Sequence, residues 1–294
     1  MKPLLGIDVT TDKNNEQMNG TELIVATASK AATQRFEDNQ ADADELIAGS
    51  KMSLPLRVLQ TLSGFSALLI AGGIIRASVE IGLSQTYKNA PFLFWIGGIC
   101  LALFAFLTVY SFKKQKEILN TESANSLAAE LDENISALYK ELGVPDDAPD
   151  VDVLAFRYKI KNGVLKVHTP FMALTSYVNP EMKVHVKDSV LYITDTESSY
   201  GIPLSSIEGI RTVNKRISVT SWNKEDDYKE GRFKEYKITE NQYGNIFFKP
   251  YYILEFNFNG EEYGLYFPCY ELPVFEELTG KKATDPADMT AETN

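Results

Sequence analysis

Two uncharged stretches constrain this chain more than any other feature. Val58 to Ile75 holds 18 residues without a charge, bounded by Arg57 and Arg76, and Pro91 to Phe112 holds 22. As α-helices rising ~1.5 Å per residue they reach roughly 27 Å and 33 Å, against a bilayer hydrocarbon core of about 30 Å. Core helices of soluble proteins rarely carry apolar runs this long. The second run is the more apolar, with Phe92, Phe94, Trp95, Phe104, Phe106 and Tyr110. Trp95 and Tyr110 lie near its ends, where amphipathic rings favour the membrane interface. The first run is diluted by Gln60, Thr61, Ser63 and Ser66, and its flanking arginines can snorkel toward headgroups. A connection of 15 residues, 76–90, makes the pair a transmembrane hairpin over residues 53–112.

Lysine and arginine counts orient such a hairpin. Lys51, Arg57, Lys113, Lys114 and Lys116 flank it on the outside in sequence, and only Arg76 and Lys88 fall in the connection. Five against two predicts a multi-pass protein of the cell membrane with both termini in the cytoplasm. Small residues recur at four-residue spacing: Ser63, Ala67 and Ala71 on the first helix, Gly98 and Ala102 on the second. Small side chains let helix backbones approach closely in lipid. The stripe serves packing within the hairpin or assembly into a homo-oligomer.

The rest of the chain is acidic. Its formal net charge is −11, which argues against nucleic acid as a partner, because phosphate binding needs a surplus of Lys and Arg. The two cysteines, Cys100 and Cys269, lie in different regions and predict no disulfide framework. Residues 1–52 form a polar, acidic cytosolic segment. Short strands are expected at Pro3–Val9 and Thr21–Ala26 and a helix at Ala31–Ala48, the whole either partly disordered or docked on the C-terminal domain. The acids Glu37, Asp38, Asp42, Asp44 and Glu45 lack calcium-loop spacing and read as a solvated face.

Residues 113–144 read as an amphipathic stalk helix. Leu127, Leu131, Ile135, Leu138 and Leu142 fall on one stripe, and Gly143 and Pro145 stop it. The stripe joins subunits as a short coiled coil or lies on the chain's own β-domain. From 151 to 280 strand signals dominate. Asn162-Gly163 and Asn259-Gly260 mark hairpin turns, Lys183 to Lys187 alternates polar and apolar, and Ile246 to Phe258 is long and aromatic. Pro273 to Leu278 is a short terminal helix, and 281–294 a polar tail.

Seven or more short strands closed by one C-terminal helix is the order of elements in pleckstrin-homology (PH)-like domains. The stretch Ile253 to Leu278 resembles the last two strands and closing helix of that fold. Val190-Leu191-Tyr192-Ile193 through Ile202-Pro203-Leu204-Ser205-Ser206-Ile207 resembles bacterial PH-like membrane proteins, in which such a module accompanies a transmembrane hairpin. The resemblance implies an α+β membrane protein: hairpin, stalk helix, then an antiparallel β-rich PH-like domain; another antiparallel sheet or barrel is the alternative reading of the same strands.

No catalytic motif stands out. The chain has no Walker A, GxGxxG, GxSxG or HExxH signature, and His168 and His185 are its only histidines. No enzyme, cofactor or metal site is expected. The most informative soluble stretch is Arg211 to Lys237, with eight basic residues and five acids, a local surplus of three positive charges. Arg211, Lys215, Arg216, Trp222, Lys224 and Arg232 are its candidate contacts to an anionic headgroup or a protein partner. An ordinary charged hairpin would carry the same residues. The chain thus reads as a membrane-anchored, non-enzymatic binding or scaffolding protein, or else as a regulatory or sensory subunit of a larger membrane complex. Its partners are the lipid bilayer and a protein partner or further copies of itself.

Overall fold

The computed structural model describes residues 1–10, 18–169, 175–221, 231–241 and 244–284. The chain divides into two compact units, Met1–Thr33 with Ser136–Asn294, and Gln34–Ile135.

Three strands, β1 (Lys2–Pro3), β2 (Gly6–Asp8) and β3 (Ile24–Thr27), precede α1 (Lys30–Ser50). Then come α2 (Leu54–Ile81), α3 (Leu83–Asn89), α4 (Pro91–Leu119) and α5 (Glu122–Glu141). Helices α2 and α4 are long and apolar enough to cross a membrane, and only 11% and 6% of their most apolar windows are buried. That exposure separates them from core helices, which bury their apolar surface. Pro55 and Pro91 stand in their first turns, where a missing N–H costs nothing.

The uncharged runs understate both helices. The connection is largely helical: α2 runs on to Ile81, with Arg76 and Glu80 as an exposed i,i+4 pair along it, and residues 83–89 are helical too. Gly82 then turns at φ 84°, and α3 follows. Helix α4 likewise runs past Phe112 to Leu119, so the predicted stalk begins inside it. A true break comes at Thr121, whose hydroxyl accepts the Ala124 amide at 3.2 Å and starts α5.

The remaining strands are β4 (Asp150–Asp152), β5 (Ala155–Lys161), β6 (Val164–Val167), β7 (Tyr177–Asn179), β8 (Glu181–Lys187), β9 (Val190–Thr194) and β10 (Ser198–Pro203). After them come β11 (Ile207–Val213), β12 (Ile217–Ser221), β13 (Thr239–Glu240), β14 (Asn245–Phe248), β15 (Tyr251–Phe258) and β16 (Glu261–Pro268), then α6 (Leu272–Thr279) and β17 (Ala283–Thr284). They form a central sheet β1-β16-β15-β11-β17, an outer sheet β3-β10-β9-β8-β4, and a second outer sheet β13-β14-β12-β7-β5-β2 with β6 on β5.

Two cores flank the central sheet. Leu254, Phe256, Tyr263, Leu265 and Phe267 face Val184, Leu191, Ile193 and Ile202, with Phe275 of α6 among them. Tyr251, Ile253 and Tyr266 face the other way, toward Phe156, Val219, Ile246 and Phe248. Successive strand residues point to opposite faces, so a strand covered on both sides is apolar almost throughout. This accounts for the long aromatic run, which is interrupted at Pro250, a residue unable to donate to a ladder.

Two expectations are corrected. Two of the three sheets are mixed, since β1 runs parallel to β16, β2 to β5, β7 to β12 and β17 to β11, while the sheet β3-β10-β9-β8-β4 is antiparallel throughout. The N-terminal strands belong to all three sheets, so residues 1–33 are part of the β unit and not a separate segment. The tail also begins with β17, hydrogen-bonded to β11. The end of the α5 stripe packs inside the same unit: Leu142 clusters with Val144 and Ala148 against Ala26, Ala28 and Tyr139.

Candidate functional site

Within the helical unit two glycines set the approach of α2 to α4. A Cβ on Gly64 would lie 2.8 Å from the Phe104 ring, and one on Gly97 would lie 2.9 Å from Ile70. Gln60 Nε2 donates to Thr108 Oγ1 at 2.9 Å across the pair. Of the small residues singled out by spacing, Ser63 is buried and donates to the Gln60 carbonyl. Ala67, Ala71 and Gly98 line an apolar groove of about 640 Å³ between the helices, and Ala102 is exposed outside it. The sequence reading missed Gly64 and Gly97. Each neighbours a residue that it did choose, and only the rotation of the helices decides which member of the pair meets the partner.

Of the predicted basic set in the β unit, the described residues Arg211, Lys215 and Arg216 lie at two different sheets. Arg211 lies on the central sheet, where its Nε donates to Glu255 Oε1 at 2.5 Å, so its charge is already neutralised. Lys215 and Arg216 lie in the connection just before β12 of an outer sheet. Arg216 sits 5.2 Å over the Phe247 ring and donates to Thr239 Oγ1 at 3.3 Å, which fixes the guanidinium. Trp222 and Lys224, and the side chain of Arg232, lie outside the described residues.

Lys215 and Arg216 meet Lys166 instead, at a fork in that outer sheet. Strand β7 pairs with β5 at only two positions, Ala155–Val178 and Phe156–Tyr177. Beyond them the same edge of β5 is taken by β6, from Tyr158–Val167 onward. On the other side of β7, β12 is paired from Val219 to Ser221, and Ile217 and Ser218 extend past it. The chain leaves the sheet at Thr175 and Ser176, and a cavity of about 660 Å³ opens between β6 and β12. Lys166, Lys215 and Arg216 line it together with the hydroxyls of Thr175, Ser176 and Ser218. Phe156, Tyr177, Tyr251 and Tyr266 form its floor. Burial raises the pKa of the Tyr177 phenol, and the Tyr251 phenol is hydrogen-bonded to it. Burial also pushes Tyr266 up to about 12, so the floor is neutral at any physiological pH.

A second polar cluster is fully enclosed. Tyr270 donates to Asp152 Oδ2 at 2.7 Å, Asn179 Nδ2 donates to the Tyr270 hydroxyl at 3.2 Å, and the Asp152 amide donates to Glu271 Oε1 at 3.1 Å. It ties β4, β7 and the turn after β16 together, which is a structural role. Cys269 beside it has its thiol pushed up to about 11 by burial, which disfavours the reactive thiolate. Among the described residues no group of three or more His, Cys, Asp or Glu side chains is arranged to hold a metal ion.

Of these features, the fork alone combines cations that have no acidic partner among the described residues, hydroxyl groups and room for a small molecule. No family model matches the chain, and neither a curated protein nor a solved structure matches it.

Proposed function

We propose that this chain is a membrane-anchored, non-enzymatic binding or scaffolding protein. In this reading α2 and α4 cross the cell membrane as a hairpin, both termini lie in the cytoplasm, and the β unit recognises a protein or a lipid headgroup. The observation that carries it is the pairing of two long apolar helices, scarcely buried, with a separately cored β unit. Orientation follows from the five basic residues outside the hairpin against Arg76 and Lys88 within its connection. A PH-like module is read in β8 to β11, β15, β16 and α6. It is supported by the β8-β9-β10 meander, the β15-β16 hairpin and the Phe275 side chain of the closing helix in the core between the two sheets. The sheet built on β5, β12 and β14 is then an addition to that module.

A second reading, a regulatory or sensory subunit of a larger membrane complex, is favoured by one feature. The groove lined by Ala67, Ala71 and Gly98 is left open by the hairpin's own packing and suits a further helix. The test is alkaline extraction of membranes followed by thiol labelling of single-cysteine variants. In a background lacking Cys100 and Cys269, Ser84→Cys should be labelled from outside and Lys187→Cys only after permeabilisation. Release of the chain by alkali, or the reverse labelling pattern, overturns the anchoring or its orientation. Co-purification of other membrane subunits in mild detergent selects the second reading.

A further inference from the structure

We infer that the fork between β6 and β12 is a binding pocket for a phosphoryl anion, held by Lys166, Lys215 and Arg216 above an aromatic floor. The inference rests on reading the β unit as a recognition module and is independent of how the hairpin lies in the membrane.

Charge is the first argument. Three cations line one cavity in a chain whose net charge is −11. Among the described residues none of the three forms a salt bridge, whereas Arg211, also in the predicted basic stretch, is paired with Glu255. Lys166 also stands directly opposite Lys159 across the β5-β6 ladder. Like charges at opposed positions destabilise a strand pair. A bound anion would turn that repulsion into attraction.

The second argument is the choice of anion. A single carboxylate would leave most of this positive charge uncompensated. A phosphoryl group carries up to two charges and three or more acceptor oxygens, which matches three cations and the hydroxyl of Ser218, with Ser176 beside it shared with Thr169; Thr175 already donates to Thr220. Arg216 is held by Phe247 and Thr239, so less freedom is lost when it binds. The third argument is the floor. Phe156 lies 4.9 Å from both Tyr177 and Tyr266, ring centre to ring centre, tilted by 58° and 81°, giving the organic part of a phosphate ester an apolar surface of ring edges and faces. The ester could be a free metabolite-sized phosphate or the headgroup of a phospholipid, because both present the same group.

Isothermal titration of the full chain in neutral detergent distinguishes the sources. The probes are inorganic phosphate, glycerol 3-phosphate and a short-chain phosphatidic acid. Saturable binding of glycerol 3-phosphate identifies a soluble ester, and binding of phosphatidic acid alone identifies a headgroup. In either case Lys166→Gln with Lys215→Gln should weaken affinity at least about tenfold, each lost charge-assisted hydrogen bond being worth about that factor. Both lysines are exposed, so the fold tolerates the change. Lys187→Gln removes an equal charge from the other outer sheet and should leave the titration unchanged. No binding of any probe overturns the inference, as does equal weakening by Lys187→Gln, which would mean attraction to overall charge. Alkaline extraction of the same variants reports on the anchoring separately.

Discussion

The β unit and the helical unit draw on the same apolar residue types and treat them in opposite ways. In the central sheet Leu265 and Phe267 are 0% exposed, while on the helices Leu68 is 73% and Phe106 67% exposed. Removing apolar area from water yields about 25 cal/mol per Å², so the sheet gains stability from water and the helices lose it there. The helices are long and apolar enough to cross a membrane, a solvent in which that exposure carries no such penalty. Their backbone groups are satisfied within each helix, which is what a medium without hydrogen-bonding partners demands. The helical unit seats the Phe104 and Ile70 side chains against two glycines, and the β unit relies on two layers of interdigitated side chains.

The broadest way to break this comparison is to truncate the same side chain in each unit. Leu265→Ala should cost about 2–5 kcal/mol, because it opens a cavity between two sheets that cannot close. Leu69→Ala, on the exposed face of α2, should stay within about 0.5 kcal/mol. Denaturant unfolding of the full chain in detergent, followed by tyrosine fluorescence for the sheets and far-ultraviolet circular dichroism for the helices, measures both. If Leu69→Ala proves as costly as Leu265→Ala, that face of α2 is packed against something and the contrast in solvents fails.

This contrast was largely legible in the sequence, and the finer geometry was not. Length and lack of charge locate α2 and α4, since those properties depend on no distant residue. The hairpin turns at Asn162-Gly163 and Asn259-Gly260 are equally local, and Asn162, Gly163, Asn259 and Gly260 all adopt positive φ. Strand β11 was missed because Ile207 to Val213 carries Glu208, Gly209 and Arg211 and has no clean alternation. Its strand character comes from neighbours on both edges, β15 and β17. The parallel pairings were hidden for a related reason. They join β1 to β16 and β2 to β5 across most of the chain, and nothing in a short polar N-terminus signals a partner so far away. The fork is not legible in sequence, because Lys166 is about fifty residues from Lys215 and Arg216, so the local cluster of charge includes Arg211 and leaves out Lys166.

The helical unit can be tested more sharply at adjacent residues. Gly97→Val places a Cβ 2.9 Å from Ile70 and must push the helices apart, whereas at Gly98 nothing lies within 4 Å. Overpacking of this kind costs about 1–3 kcal/mol. Gly97→Val should therefore lower the melting temperature of the hairpin in detergent, and Gly98→Val should not. If Gly98→Val instead dissociates an assembly seen in native detergent extracts, the open groove is a contact between chains and the reading as a subunit of a larger complex gains.

The smallest expected effect concerns the one buried histidine of the β unit. His185 on β8 stacks on Tyr192 at 4.9 Å and 8° between ring planes, and its Nδ1 has no hydrogen-bond partner among the described residues. Burial, and secondarily the nearby Lys187 charge, hold its pKa below the ordinary histidine value. In the unfolded chain the imidazole takes up a proton as pH falls through about 6.5, while the folded one resists until lower pH. Over that window the unfolded state binds more protons, so stability falls with falling pH and is unaffected above it. The loss should be below about 1 kcal/mol, since the site is partly reached by solvent. Thermal unfolding of the full chain between pH 7.5 and 5.5, compared with His185→Gln, isolates it: the wild-type chain should lose more stability on acidification than the variant. Identical slopes would mean that the imidazole is as well solvated as in the unfolded chain. The outer face of that sheet would then be open to water, and the packing that distinguishes the β unit from the helices would be confined to its two inner cores.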